Sequence, residues 1–334
     1  MKLYKKAAAC LLTAALAISM LTACGGGGGT PGTPGTPGTP STPSTPSTPS
    51  TPSTLPTPDE IVLPGGEGDE STETKPTKTP IADVNSSKLA KFNKKYAGSK
   101  EFYVELLTES YNAAGTAYES IAGRAARKND AIYTAMTISE KNQKPLSVEL
   151  LTLKEGKFQN EYLLFSSSKA AVKLSSREID ENSGASLDTL ITDSLPSQMW
   201  STKVKVGPTE YDAEIYYTDN TEVTTCFAAN GDPVYQFVRR LDAKLLESSY
   251  LYKTIQAGSG SSKGLCEMPA GTKTYSFDQK DYTLMDAKGN KFTLQPETDS
   301  NGETNSFIIL DKDGKDVTAD FKWVNDFFQS IPKS

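Results

Sequence analysis

The sequence predicts a mainly β protein of the α+β type: a curved antiparallel sheet or half-barrel with a few helices, plus a C-terminal hairpin and helix extension. Three observations carry this reading. Between Phe102 and Phe277 the chain breaks into short runs rich in β-branched and aromatic residues, with Asn, Gly, Lys or Pro at the breaks. Stretches with helical periodicity are few. Residues 1–84 are a leader and a low-complexity arm that cannot contribute to a core.

Lys2, Lys5 and Lys6 precede "AAACLLTAALAISML", an apolar run too short for a comfortable membrane span, so residues 1–23 read as a secretory signal peptide. Leu21-Thr22-Ala23-Cys24 resembles the lipobox of bacterial lipoproteins, a small-residue cleavage site followed at once by cysteine. That resemblance implies alkylation of Cys24 by diacylglycerol, cleavage just before it and acylation of the new amine. Several acyl chains hold a protein on a membrane where one is marginal. Cys10 leaves with the signal.

Residues 24–84 read as a tether. Gly25–Gly29 form a swivel, and from Thr30 to Pro52 the chain repeats Thr-Pro-Gly and then Thr-Pro-Ser. Proline fixes φ and lacks an N–H, which favours extended polyproline II. At about 3.1 Å per residue, residues 30–58 reach roughly 90 Å. The acidic stretch "GGEGDESTETKPTKTP" continues the disorder. A spacer of this length suits a thick cell wall, so the expected location is the extracellular face of a Gram-positive cell membrane.

The remaining 250 or so residues are enough for a sizeable core. Loss of the three signal lysines takes the formal charge from −6 to −9, which disfavours nucleic acid as a partner. The chain has no histidine, which excludes Ser-His-Asp and Cys-His catalysis and imidazole zinc sites. No cofactor motif or metal-ligand set stands out, and the expectation is a non-enzymatic domain.

The folded part is expected at 85–279, with C-terminal hairpins and a helix over 280–334 packed on the same domain. Asn85, Ser86 or Ser87 can cap a first helix with Leu89, Phe92 and Tyr96 on one side. Lys88, Lys91, Lys94 and Lys95 lie on its other faces, where the expectation is solvent, with anionic wall polymers as the alternative. Strands are expected at "EFYVELLTE", "TAYESIAG", "AIYTAMTIS", "LSVELLTL", "FQNEYLLF" and "KAAVKLS". Phe158, Tyr162 and Leu164 alternate with Gln159 and Glu161, and Val172 and Leu174 flank Lys173, which predicts one buried and one wet face. After an interruption containing Leu187, Leu190, Ile191 and Leu195, which fit a short helix, strands resume. These are "TEYDAEIYYTD", "TEVTTCFAAN", "PVYQFVRRL" and "GLCEMPAGTKTYSF". The hairpin "YTLMDAKGNKFTLQP", the strand "SFIILDKDGK" and the helix "TADFKWVNDFFQSI" close the chain.

This order of elements, with the phrases Asn230-Gly231-Asp232 and Met268-Pro269-Ala270-Gly271, resembles the half-barrel of LolA-like and LppX/LprG-like lipoproteins over Phe102–Leu174 and Tyr211–Lys273. The resemblance implies a lipid or other apolar ligand held in a concave face under a lid. Met199, Trp200, Tyr211, Ile215 and Tyr217 are the candidate lining, with ordinary sheet core as the alternative. Leu187, Leu190, Ile191 and Leu195 are the candidate lid, hinged at Gly184 and Pro196, with a core helix that fills the concavity as the alternative. The alternative is an interaction module that contacts wall components or a protein partner. A filled concavity with an exposed aromatic patch would favour that second reading.

Other motifs read as structure. Ser166-x-x-Lys169 matches a Ser-Lys catalytic step but falls in a strand–turn–strand pattern. Asp311, Asp313 and Asp316 miss the calcium-loop spacing and fit a turn. Glu178, Asp180 and Glu181 read as a solvated loop. Cys226 and Cys266 are expected to form a disulfide on the wetter face shared by Glu222 and Thr224, contributing about 3–4 kcal/mol in the chain-entropy model, with two reduced thiols too far apart to pair as the alternative.

Overall fold

A computed structural model describes residues 54–63, 77–97, 99–141, 143–178, 195–218, 220–278, 280–298, 300 and 304–331. Among the described residues, two short strands, β1 (Ile61–Val62) and β2 (Thr79–Pro80), precede helix α1 (Lys88–Ala97). Six strands follow: β3 (Glu101–Tyr111), β4 (Ala117–Lys128), β5 (Ala131–Glu140), β6 (Leu146–Glu155), β7 (Phe158–Phe165) and β8 (Ala170–Glu178). A second group comprises β9 (Trp200–Val206), β10 (Thr209–Thr218), β11 (Thr221–Phe227), β12 (Pro233–Arg240) and β13 (Leu245–Ala257). The chain ends with β14 (Lys273–Asp278), β15 (Thr283–Asp286), β16 (Lys291–Thr298), β17 (Thr304–Leu310) and helix α2 (Lys322–Ser330).

The predicted mainly β class with a large curved sheet holds. Its strands run antiparallel in the order β9-β10-β11-β12-β13-β3-β4-β5-β6-β7-β8. The seam between the two meanders is β13 against β3. Beyond β8 the direction breaks: β14 pairs with it in parallel and starts a β14-β15-β16-β17 meander. Among the described residues the registers do not join the two ends, so the sheet is open.

Side chains alternate across a strand, so the registers sort them onto two faces. On one face Phe102, Val104, Ala125, Tyr250 and Tyr252 meet Phe92 and Tyr96 of α1. Farther along, Ile121, Met136, Val148 and Leu163 meet Phe327 of α2 and Ile331 just past it. The opposite face packs Tyr103, Ala126, Tyr133 and Leu151 against Leu265, Cys266 and Met268 of the β13–β14 connection. It also packs Ala213, Tyr235, Phe237 and Leu251 against Leu55, Ile61 and Leu63. Both faces are therefore covered, which corrects the expectation of one wet face. Leu163 and Leu164 are both buried, while Phe158 and Leu174 are 39% and 40% exposed. Phe158 pairs with Glu178 at the open end of the β7–β8 hairpin, and Leu174 is the residue skipped at its register shift.

Two strands, β9 and β13, go beyond the sequence expectation. The predicted strand at "GLCEMPAGTKTYSF" begins only at Lys273, and the turns before it form the cover over Tyr103 and Tyr133. The boundary of the folded part also moves. Residues 54–63 and 77–84, assigned to the tether by composition, are docked on the sheet. Ile61 and Val62 pair antiparallel with Val206 and Lys205, and Thr79 and Pro80 pair with Ser201 and Trp200. Thr57 and Glu60 form a capping box before β1. Gly207, held at φ +55° by the β9–β10 turn, donates its N–H to the Glu60 carbonyl at 2.9 Å. Ile81 donates to the Met199 carbonyl at 2.9 Å. This pair of segments is a strap along the β9 edge. The leader, Cys24, the Thr-Pro repeat and three of the expected lid residues, Leu187, Leu190 and Ile191, lie outside the described residues; Leu195, half-buried, is within them.

Candidate interaction site at the β9 edge

The residues expected to line a cavity come together in part. Ile215 stands opposite Trp200 in the β10–β9 register, and Tyr211, Ile215 and Tyr217 share the strap-covered face of β10. Ile215 is fully buried and Met199 only 2% exposed, so both are core. Tyr211 packs edge-on to Tyr235, with ring centroids 5.6 Å apart. Only the outer end of the row is presented. The Trp200 and Tyr217 rings pack edge-on at 5.2 Å, and Tyr217 is 37% exposed.

Below that aromatic pair lies a charged cluster the sequence reading missed. Glu222 is 1% exposed and stands opposite Tyr217 on β10 and Arg239 on β12. Its Oε1 accepts from Arg239 at 2.7 Å. Its Oε2 accepts from the Tyr217 hydroxyl at 2.9 Å and from Lys78 Nζ at 2.8 Å. Lys78 also donates to the Tyr217 hydroxyl at 2.6 Å and sits 5.3 Å from the centre of that ring. An isolated buried carboxylate would be very costly, and two cations and a phenol offset that here. Burial acts to lower the Lys78 pKa, but the hydrogen bonds and charge of Glu222 and Tyr217 outweigh it and hold the ammonium above the usual lysine value. One residue along the same face, the buried Thr224 hydroxyl has no hydrogen-bond partner among the described residues.

The helix that crosses the opposite face is fixed by the same strands. The buried Glu214 carboxylate accepts from the Lys88 and Leu89 N–H groups at 2.6 and 2.9 Å, where the helix dipole favours an anion. Ser87, one of the three predicted caps, accepts from the Ala90 N–H at 3.0 Å. Lys88 pairs with Asp212 at 2.5 Å and Lys95 with Asp232 at 2.9 Å, while Lys91 and Lys94 are exposed. The expected solvated lysine face is therefore half engaged in ion pairs.

The expected Cys226–Cys266 disulfide is not formed: both cysteines are free and buried. Cys226 packs with Val204, Ala213 and Tyr235, and Cys266 with Tyr103 and Tyr133 in a separate cluster. The row Glu222, Thr224 and Cys226 is not wet either, at 1%, 1% and 0% exposed. Ser166 sits in a single 3-10 turn between β7 and β8 and donates to Glu149, in keeping with a hairpin turn. Asp311 Oδ1 accepts the N–H groups of Asp313 and Lys315, and Asp316 caps Thr318, so this loop is a turn. Among the described residues no cluster of three or more acidic or thiol groups could hold a metal ion, and no helix is long and apolar enough to cross a membrane.

No family model and no curated relative matches the chain. Among solved structures, an uncharacterised conserved protein from Thermus thermophilus is similar at 8% identity and TM-score 0.32, over 56% of this chain and 96% of that one. A DUF1329 family protein from Desulfovibrio piger is similar at 13% identity and TM-score 0.25, over 56% of this chain and 98% of the other. A candidate exported protein with a YmcC-like fold from Bacteroides fragilis is similar at 9% identity and TM-score 0.18, over 47% and 96%.

Proposed function

We propose that this protein is a lipid-anchored, non-enzymatic domain on the extracellular face of a Gram-positive cell membrane, and that it acts by contact with a protein partner or wall component. The observation that carries the contact reading is the filling of both sheet faces. Met199 and Ile215, expected to line a cavity, are core residues, and the aromatic pair Trp200–Tyr217 is what the row presents at the surface. A carrier of apolar molecules needs an enclosed apolar volume instead. The anchor is supported by the lipobox at Cys24 and the Thr-Pro spacer. The absence of histidine and the hairpin-turn setting of Ser166 support a non-catalytic role.

Native mass spectrometry of the full chain purified from its host tests the contact reading. The expected mass is the processed chain plus its own anchor. A second apolar molecule bound one-to-one would overturn the reading in favour of the hydrophobic carrier implied by the half-barrel resemblance. The anchor is tested separately: Cys24→Ser is expected to release the chain from the membrane fraction, and retention there would sink it.

A further inference from the structure

Glu222 is not merely neutralised; its surroundings have the chemistry of an ammonium receptor. One oxygen is committed to Arg239, and the other faces Lys78 together with the Tyr217 hydroxyl. A phenol oxygen accepts from the same ammonium, the ring lies within cation–π range, and the Trp200 ring buttresses Tyr217. Arg239 already balances the charge of Glu222, so what fits the remaining place to an ammonium is its geometry: a carboxylate oxygen, a phenol oxygen and an aromatic ring arranged around one Nζ. We propose that Glu222, Tyr217 and Trp200 form a seat for a primary ammonium, that Lys78 of the strap fills it in cis, and that a lysine-like amine on an extended partner segment takes it in trans.

The strap suits such an exchange. Lys78 directly precedes β2, which holds the β9 edge through only two paired residues, Thr79 and Pro80. Lys78 is 27% exposed on its side chain and Glu222 only 1%, so the ammonium can be withdrawn toward solvent while the carboxylate stays in place. A partner amine that displaces Lys78 removes one of the strap's attachments and loosens β2. The edge of β9 at Trp200 and Ser201 then becomes available for the partner's own extended backbone. Binding at the seat and opening of the edge are thus coupled. The choice of a partner's amine as trans occupant rests on the contact reading above, whereas the seat itself does not.

Propylammonium and amide exchange test the seat in the full chain. Lys78→Ala is expected to speed exchange at the Ile81 N–H about tenfold or more, corresponding to loss of a charge-assisted hydrogen bond. In Lys78→Ala, propylammonium at tens of millimolar is expected to raise the melting temperature without restoring protection at Ile81, because a free amine fills the seat but does not tether the strap. This stabilisation should vanish in Lys78→Ala/Glu222→Gln and should not be reproduced by sodium chloride. In the unmutated chain, where no question of folding arises, the same amine should compete with Lys78 and speed exchange at Ile81. An unmoved rate in the unmutated chain, or a stabilisation of Lys78→Ala that ignores Glu222, would overturn the proposal. Neither result depends on whether an apolar molecule co-purifies, so this test and the mass measurement fail separately.

Discussion

At the β9 edge the sheet ends on four paired residues of a strap, whereas at the β8 edge it continues through a parallel pairing into a second meander with its own aromatic core. Both solutions protect an edge that would otherwise offer free N–H and C=O groups to another chain. They differ in what holds them. The β8 side is held by apolar area: Trp323 packs on Phe165 at 4.3 Å, on Tyr275 at 5.8 Å and on Phe321 at 6.1 Å. The β9 side is held by a few apolar contacts and one buried ion cluster. A packed edge is stable because many small contacts must be lost together, while a pinned edge can be released at a single point.

The strongest way to break this contrast is Trp323→Ala. Removing a large buried ring is expected to cost about 3–5 kcal/mol, read by denaturant unfolding of the full chain. A loss below about 1 kcal/mol would mean that α2 only rests on the surface. Next in size, Lys78→Met is expected to cost about 1.5–3 kcal/mol. Its signature should be local, with faster amide exchange at Ile81 and unchanged exchange in α2. Global loosening would show that the two edges are not independent.

A smaller effect sharpens the electrostatic side of the comparison. Hydrogen bonds from Lys203 and then Lys88 hold the Asp212 carboxyl down at about 2, below its usual value. A depressed carboxylate contributes stability that is fully present above the ordinary carboxylate pKa and is lost as pH falls toward 2. Asp212 is half exposed, so the contribution should stay below about 1 kcal/mol. Asp212→Asn should flatten stability between about pH 4 and 2, and an unchanged acid slope would count against it. The smallest expected effect is zero: reductant should leave the melting temperature unmoved. Desolvation pushes the Cys266 thiol up to about 11 and the Cys226 thiol higher still, so neither should react in the folded protein at neutral pH. Both should titrate on unfolding without reductant, and finding neither would restore the bridge.

The meander was legible because β-branched and aromatic runs broken by turn residues reflect local physics. β9 was readable too. Thr202, Val204 and Val206 are buried between exposed Ser201, Lys203 and Lys205, yet the run falls between an interruption expected to end at Trp200 and a strand expected from Thr209, and neither expectation includes it. The strap was hidden by its setting. Ile61, Val62 and Leu63 and the Thr57–Glu60 capping box sit in a proline-rich tract whose average composition signals disorder. Glu222 was illegible for a deeper reason. Alternation places it on a face but does not say that Lys78, 144 residues away, will cover that face. The cysteines failed in the same way: two cysteines suggest a bond, but each belongs to a different cluster.

The seam between β13 and β3 sets the order of events during folding. Tyr111 and Ser249, joined at 2.8 Å across it, are 138 residues apart in the chain. Each meander can zip up from its own hairpins, but β3 and β13 keep bare edges until the two halves find each other. Closing so long a loop is slow compared with hairpin formation. During that interval an extended, aromatic-rich edge is open to any other strand nearby. The assembling protein is therefore most vulnerable to aggregation at its midline, although in the finished fold that line lies inside the sheet, with Leu251 and Ser249 fully buried.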